Sequence, residues 1–214
     1  MINIKKQLIN YTLKLNSTNL SALRSGNISV KAKLNNIDGF FITPSGIKYE
    51  NLKINDIVFV SLEGKYDKNG LKPSSEWRFH QDIYKSKPEI NAIVHAHSPY
   101  STALSCFRKN IPAFHYMIAL VGGNNIRCAS YATFGTRELS KNILKALKGR
   151  KACLISNHGQ IAFEENLSKA FELAEEVENI SLQYITSLKL GKPKILSINE
   201  MNKVLFKAKN YKRG

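Results

Sequence analysis

The sequence has few cysteines and no long apolar run. Its 214 residues include three cysteines. They are odd in number and widely spaced in apolar surroundings, at Cys106, Cys128 and Cys153. We therefore expect no disulfide framework and a protein that resides in the reducing cytoplasm. No apolar run approaches the roughly 18 residues of a membrane span, and the amino terminus lacks the charged-then-apolar pattern of a secretory signal. We therefore expect a cytoplasmic protein without a membrane partner.

Acidic residues are also scarce. Sixteen Asp and Glu residues stand against 32 Lys and Arg residues, which gives a formal net charge of +16. Such a balance would suit a nucleic-acid or other anionic partner, because clustered cations release counterions from phosphates. Here the lysines are dispersed, apart from a basic stretch at 203–213, and the sequence has neither an arginine-rich arm nor an aromatic–basic stacking platform. We do not expect nucleic acid to be the main partner.

The hydrophobic content of 43% suffices for a substantial core. Neither internal repeats nor low-complexity linkers occur, so we predict a single domain over 1–214 with a helical tail from about 198. Apolar periodicity alternates between strand-like and helix-like segments, which predicts an α/β layered domain with a mixed sheet. The predicted helices cover 4–15, 74–87, 100–106, 136–147 and 167–190, and the predicted strands cover 27–34, 39–43, 57–62, 90–97 and 151–156. Ser74 or Ser75 is the predicted cap of the second helix.

One carboxylate and three imidazoles form a candidate metal site. His95 and His97 end a predicted strand, and residues two apart in a strand share a face, so both rings can reach one ion. His158 follows a second apolar run, and Gly159 after it would let the backbone turn sharply. Glu76 lies close to a helix start. Three imidazoles and a weakly held oxygen ligand suit catalytic Zn²⁺, although ligand type alone leaves cobalt, manganese and iron open. The alternative is a set of buried polar residues without a metal.

Three short segments have the composition of phosphate-binding loops. Each combines small hydroxyl or amide side chains with flexible backbone, and the third is placed at a predicted helix amino terminus, where free N–H groups favour an anion. None is a Walker or Rossmann loop. The alternative is that they are ordinary turns and caps. The segments are 25–27, 43–46 and 74–75.

The ordered set of motifs resembles the class II aldolase and adducin family over about residues 7–211. The resemblance implies a layered α/β/α fold with a mixed, largely antiparallel central sheet. It also implies one zinc ion per subunit and cyclic homotetramers with active sites between subunits. The motifs are SGNISV at 25–30, ITPSG at 42–46, PSSEWRFH at 73–80, AIVHAH at 92–97, HYMIA at 115–119, YATFGTRELS at 131–140 and NHG at 157–159.

The same resemblance assigns residue roles. It implies that His95, His97 and His158 bind Zn²⁺, and that Glu76 ligates the ion at rest and becomes the general acid/base when substrate arrives. Tyr116 matches the tyrosine that reaches a neighbouring subunit's site and serves as proton donor to the aldehyde oxygen. The positions that match phosphate binding are Gly26, Asn27, Ser45, Gly46, Ser74 and Ser75, and those near the aldehyde end are Phe134 and Tyr211.

The implied reaction is reversible cleavage of L-fuculose 1-phosphate, or a similar ketose 1-phosphate, to dihydroxyacetone phosphate and an aldehyde such as L-lactaldehyde. Dehydration of methylthioribulose 1-phosphate and cleavage of 5-deoxypentulose phosphates are the rival activities within the family. A non-catalytic, adducin-like interaction module is the alternative of a different class. The intact set of histidines and Glu76 argues against that last alternative. His80, on the same predicted helix as Glu76, is interpreted as a core or salt-bridge residue.

Overall fold

The computed structural model describes residues 1–210, with side chains through residue 208. Its α-helices are α1 Ile2–Ser17, α2 Trp77–Ser86, α3 Pro99–Ser105, α4 Arg137–Ala146, α5 Leu167–Leu190 and α6 Ile198–Asn210. Its strands are β1 Asn27–Leu34, β2 Ile37–Ile42, β3 Val58–Ser61, β4 Ala92–Ala96, β5 Ile111–Pro112, β6 Asn125–Ile126, β7 Cys128–Ala129, β8 Ala152–Ile155 and β9 Gly159–Glu164. Short 3₁₀ turns lie at Tyr49–Asn51, Ile54–Asp56 and Tyr116–Val121.

Seven strands form the main sheet, in the order β3-β2-β1-β4-β9-β8-β7. Neighbouring strands run antiparallel, except that β7 and β8 are parallel. Strands β5 and β6 form a separate two-stranded ribbon. The predicted α/β class, with a mixed and largely antiparallel sheet, is confirmed.

Helices cover both faces of this sheet, and alternate residues of β4 show why. Ala92, Val94 and Ala96 belong to the apolar cluster that includes residues of α1, α3 and α5. Ile93 belongs to the other cluster, with residues of α2 and α4. Successive strand residues point to opposite faces of a sheet, and His95 is two residues after Ile93. The His95 side chain therefore lies on the same face as Ile93, which is the face covered by α2.

Helix α2 begins later than predicted. Its first residue is Trp77, with Glu76 at the N-cap position and no side-chain cap. The Ser74 hydroxyl instead accepts a hydrogen bond from the Glu76 amide at 3.3 Å. The preceding chain is held extended, because the Ser74 amide donates to the Thr43 carbonyl at 3.0 Å and Pro73 forms a β-bridge with Pro44. The prediction that Ser74 or Ser75 caps this helix was wrong, and Glu76 is the residue at the helix start.

Two other helices have the side-chain caps that the sequence favours. The Thr136 hydroxyl accepts from the Leu139 amide at 3.2 Å at the start of α4, and the Asn166 side chain accepts from the Lys169 amide at 3.0 Å at the start of α5. Each cap satisfies a backbone donor that the first helical turn leaves unpaired. Among the described helices, none has the length and apolarity that crossing a membrane requires.

Candidate active site

Four candidate metal ligands lie together where β4, β9 and α2 meet. His95 lies in β4, and His97 directly follows that strand. Glu76 precedes α2, and His158 lies in the turn between β8 and β9. One ligand atom from each of the four lies within 4.8 Å of every other. The predicted set is therefore brought to one place by three separate parts of the chain.

The three imidazoles surround a common point. Each pair of ring centroids is separated by 4.8 Å, with interplanar angles of 70°, 87° and 86°. The Nε2 atoms of His95 and His97 are 3.0 Å apart. Glu76 Oε2 is 3.1 Å from His95 Nε2, and Glu76 Oε1 is 3.1 Å from His158 Nε2. Tetrahedral bonds of about 2.1 Å separate ligand atoms by about 3.4 Å, so the spacing suits a small metal ion.

The hydrogen bonds of His95 show that a cation fits here. Its Nδ1 lies 2.8 Å from the Gln160 carbonyl, which can only accept, so Nδ1 carries the proton. In the neutral ring Nε2 then carries no proton and can only accept. It nevertheless faces two other acceptors, Glu76 Oε2 and His97 Nε2. A metal ion satisfies all of these acceptors at once. Such a carbonyl partner also orients a ligating histidine ring.

Burial and mutual contact set the charges of the ligands. Burial alone raises the pKa of Glu76, but contacts with His95 and His158 outweigh it and hold that pKa well below its usual range. Burial, reinforced by repulsion from His95 and His158, lowers the pKa of His97 to about 3. A carboxylate and a neutral imidazole are the protonation states that bind metals.

The turn that carries His158 differs from the prediction. The residue with the left-handed backbone is Asn157, at φ +54°. Gly159 is required for another reason, since a Cβ there would lie 2.4 Å from the carbonyl oxygen of Ala96. Glycine thus lets β9 approach the end of β4, and this contact brings His158 close to the two histidines of that segment.

A chain of buried hydrogen bonds runs from Glu76 into the core. Asn27 Nδ2 donates to Glu76 Oε2 at 3.0 Å, and His80 Nε2 donates to Asn27 Oδ1 at 2.5 Å. The Ser29 hydroxyl lies 2.7 Å from His80 Nδ1 and 2.9 Å from the Tyr84 hydroxyl. Burial, with a smaller effect of His95, lowers the pKa of His80 to about 3, so the ring is neutral.

Only one arrangement of donors and acceptors is consistent with this series of hydrogen bonds. Glu76 is ionised and can only accept, so the Asn27 amide presents its NH₂ to it and its oxygen to His80. The His80 proton is then on Nε2, and Nδ1 accepts from Ser29. The interpretation of His80 as a core residue is confirmed, because the side chain is fully buried. The sequence did not indicate that this histidine orients the amide beside Glu76.

A cleft of about 350 Å³ opens beside the metal ligands. Every predicted phosphate position lines it, as do Phe134 and three of the four candidate metal ligands. Residues without a predicted role also line it, among them Arg24, Tyr131 and Asn157. The predicted residues that line the cleft are Gly26, Asn27, Ser45, Gly46, Ser74, Ser75, Glu76, His97, Phe134 and His158.

The structure places the predicted proton donor outside this cleft. Tyr116 lies in the 3₁₀ turn that precedes β6, is 54% exposed, and is absent from the described residues that line the cleft. Tyr211 lies outside the described residues. The cleft of one chain therefore lacks the predicted proton donor.

Comparison with known proteins decides the family. The family model described as the class II aldolase and adducin N-terminal domain matches residues 6–185. The chain belongs to this family. An L-fuculose phosphate aldolase of Escherichia coli is 48% identical over 209 residues, which are 97% of this chain and 95% of that protein. A 5-methylthioribulose-1-phosphate/5-deoxyribulose-1-phosphate aldolase of Rhodospirillum rubrum is 47% identical over 210 residues, 98% of this chain and 93% of that protein.

Solved structures agree with this assignment. An L-fuculose 1-phosphate aldolase superposes with a TM-score of 0.90 at 41% identity, covering 97% of this chain and 96% of that one. The protein is therefore a class II aldolase, and the predicted similarity to L-fuculose 1-phosphate aldolases is confirmed. The two relatives just described act, by their names, on different sugar phosphates, so similarity alone does not decide the substrate.

Proposed function

We propose that this class II aldolase is a zinc enzyme that reversibly cleaves a ketose 1-phosphate to dihydroxyacetone phosphate and an aldehyde. L-Fuculose 1-phosphate, with L-lactaldehyde as the aldehyde product, is the first candidate substrate. The observation that carries the proposal is the buried Glu76 among three histidines, at the wall of a cleft with several serine hydroxyls. We further propose that the enzyme acts in the cytoplasm.

Zinc would be held by His95, His97 and His158, with Glu76 as the fourth ligand. Bound there, it would supply a Lewis acid that stabilises the negative charge left on the dihydroxyacetone phosphate half by carbon–carbon cleavage. No lysine is needed to form a Schiff base with the substrate. The carbonyl partner of His95 keeps that ring in the tautomer that binds a metal.

Glu76 moves the protons. In cleavage it accepts the proton of the C4 hydroxyl, directly or through a relay that includes Tyr116, and passes a proton to C3 of the dihydroxyacetone phosphate half. Condensation reverses each step, so Glu76 then takes the proton from C3. Its Oε2 already accepts from Asn27, whereas the buried Oε1 has no hydrogen-bond partner within residues 1–210. We assign the transferred proton to Oε1, because His158 Nε2, 3.1 Å away, would have no proton to donate to it when that nitrogen binds the metal.

The phosphate end of the substrate would lie against the cleft wall formed by three loops. One loop contains Gly26 and leads into β1 at Asn27, the second contains Ser45 and Gly46, and the third contains Ser74 and Ser75. Phe134, which is 64% exposed on the same cleft, would contact the aldehyde portion. The C-terminal Tyr211 is assigned to that end by family resemblance alone.

Tyr116 requires a second subunit in this scheme. Its phenol is exposed and lies away from the cleft of its own chain. We propose a cyclic homotetramer in which Tyr116 serves a neighbouring subunit's site and donates a proton to the aldehyde oxygen during condensation. The exposed Tyr131 and Phe134 at the cleft mouth would lie at that subunit boundary.

A second candidate substrate comes from the relatives. The Rhodospirillum rubrum protein is named an aldolase of 5-methylthioribulose 1-phosphate and 5-deoxyribulose 1-phosphate. Its 47% identity nearly equals that of the Escherichia coli L-fuculose phosphate aldolase, so it favours 5-deoxyribulose 1-phosphate as the alternative. Comparing kcat/KM for the two ketose phosphates on one enzyme preparation would discriminate between them.

Metal removal tests the proposed reaction. Zinc-loaded protein should release dihydroxyacetone phosphate from L-fuculose 1-phosphate or 5-deoxyribulose 1-phosphate. A chelator should abolish this release, and added Zn²⁺ should restore it, because the developing negative charge then regains its counter-charge. A coupled assay of dihydroxyacetone phosphate measures both. Release that persists at full rate in protein shown to be metal-free would contradict the metal-dependent mechanism.

Replacing His80 with Phe tests the buried hydrogen-bond chain. The ring volume is retained, but Asn27 loses the donor that orients its amide towards Glu76. We expect kcat to fall about 10- to 100-fold, with KM and zinc content nearly unchanged. The matched control is Tyr84→Phe. It removes the hydroxyl at the end of the hydrogen-bond series farthest from Glu76 and leaves His80 in place. Equal kcat values for the two variants would show that His80 only fills the core.

A further inference from the structure

Arg24 is a cationic residue in the cleft that motif matching did not assign. It is the one lysine or arginine among the described residues that line the cleft. Its Nη1 donates to the Gly46 carbonyl at 3.0 Å, and it forms no ion pair with a described residue. Arginine has five N–H donors, so most of this guanidinium is available to a ligand.

The backbone that carries Arg24 is fixed in place. The Tyr49 hydroxyl lies 2.7 Å from the carbonyl oxygens of both Ser25 and Gly26. Gly26 has φ +83°, and a Cβ there would lie 2.6 Å from the carbonyl oxygen of His95. The loop is therefore packed directly against the strand that carries the candidate metal ligand. Because this backbone is anchored, only the Arg24 side chain has to be ordered when a ligand binds.

Unused donors line the same cleft as Arg24. The hydroxyls of Ser45 and Ser75 have no hydrogen-bond partner within residues 1–210, and neither have the backbone N–H groups of Gly46 and Ser75. Gly46 has φ +82°, and a Cβ there would meet no atom within 4 Å, so its backbone is open to a ligand. Backbone and hydroxyl donors clustered in this way favour an anion.

Charge decides what the guanidinium would bind. An anionic ligand in this cleft gains from a nearby positive charge, and Arg24 is the one lysine or arginine among the described lining residues that supplies it. A guanidinium pairs with phosphate oxygens through two parallel N–H donors, which a neutral sugar hydroxyl cannot match. The Gly46 carbonyl accepts from only one N–H group of the Arg24 guanidinium, so the other N–H donors remain for a phosphate.

The geometry points to Arg24 as the residue that binds the substrate phosphate by charge, and so selects phosphorylated over unphosphorylated ketoses. This inference rests on the proposed function for the identity of the substrate. The binding of a phosphate by Arg24 can nevertheless be measured without turnover. Arg24 would act together with the hydroxyls of Ser45 and Ser75, which supply uncharged donors to the same group.

The experiment compares three variants of the zinc-loaded full chain with the wild type. Arg24→Gln removes the charge, Arg24→Lys keeps the charge but removes the fork, and Lys48→Gln is the control. Lys48 also carries one positive charge, but it is exposed and lines a different cavity. Calorimetric titration with inorganic phosphate measures the Kd, and the aldolase assay measures KM and kcat separately.

We expect Arg24→Gln to raise the Kd for phosphate and the KM for the ketose 1-phosphate about 10- to 100-fold, with kcat changed less than about threefold. Arg24→Lys should be intermediate, and Lys48→Gln should resemble the wild type. Phosphate affinity that is the same in Arg24→Gln and Lys48→Gln would overturn the inference, as would a wild type that does not bind phosphate. Arg24-dependent phosphate binding without any cleavage would uphold the inference and overturn the proposed function.

Discussion

Glu76→Gln should abolish most turnover while zinc remains bound. Glutamine has nearly the same shape, and three histidines still hold the metal, but its amide cannot accept the proton of the C4 hydroxyl. General acid/base groups contribute about 10²- to 10⁴-fold, so we expect kcat to fall within that range. The amide also replaces the buried Oε1, which has no hydrogen-bond partner within residues 1–210. Zinc per chain and kcat, measured on the same preparation, check both statements.

The matched control for this variant is Glu89→Gln. Glu89 is an exposed carboxylate just before β4, so the same chemical change is made away from the cleft. Its kcat should equal that of the wild type. If Glu76→Gln were fully active with zinc bound, Glu76 would have no part in proton transfer. If it lost its zinc, the three histidines would be insufficient to hold the metal.

His95→Ala should remove the metal and with it the activity. His95 Nε2 lies 3.0 Å from His97 Nε2 and 3.1 Å from Glu76 Oε2, so its loss opens one side of the ligand set. Zinc content should fall from about one ion per chain to near zero after dialysis, because only two imidazoles and the weakly held carboxylate of Glu76 would remain as ligands. Elemental analysis of the dialysed protein measures this directly.

His115→Ala is the control for His95→Ala. His115 lies outside the ligand cluster, beside Tyr116, and its Nδ1 accepts only from the Met117 amide at 3.4 Å. This variant should keep its zinc. His95 is fully buried, so circular dichroism must show that the alanine variant still folds. Zinc retained at full stoichiometry by folded His95→Ala would refute the proposed ligand set.

Much of the fold was predictable because periodicity reports which face of an element is buried. Helix α5 covers Leu167–Leu190, the predicted range, and α4 and β8 differ from their predictions by one residue at each end. Strand β9 was missed, although it lies between β4 and β8 in the sheet. Its run GQIAFE is short and shares Gly159 with the NHG motif, so we interpreted that glycine as part of a turn and not as the start of a strand.

The start of α2 could not be predicted for a different reason. Ser74 and Ser75 have the composition of helix caps, but a β-bridge between Pro44 and Pro73 holds this segment extended. That contact joins residues far apart in the sequence. Local propensity does not include such a contact, and so the predicted start of the helix was too early.

The sequence by itself determined the family, the α/β class and the residue types that can bind a metal and a phosphate. The two-residue spacing of His95 and His97 predicts that both side chains lie on the same face, because the geometry of a strand is local. Only the tertiary structure brought Glu76 and His158 to them, since this depends on how β1, β4 and β9 pair. It also decided that His80 orients Asn27 and that Arg24 faces the cleft. Such contacts join side chains across loops and strands, and the burial and hydrogen bonding that select them exist only once the sheet has formed.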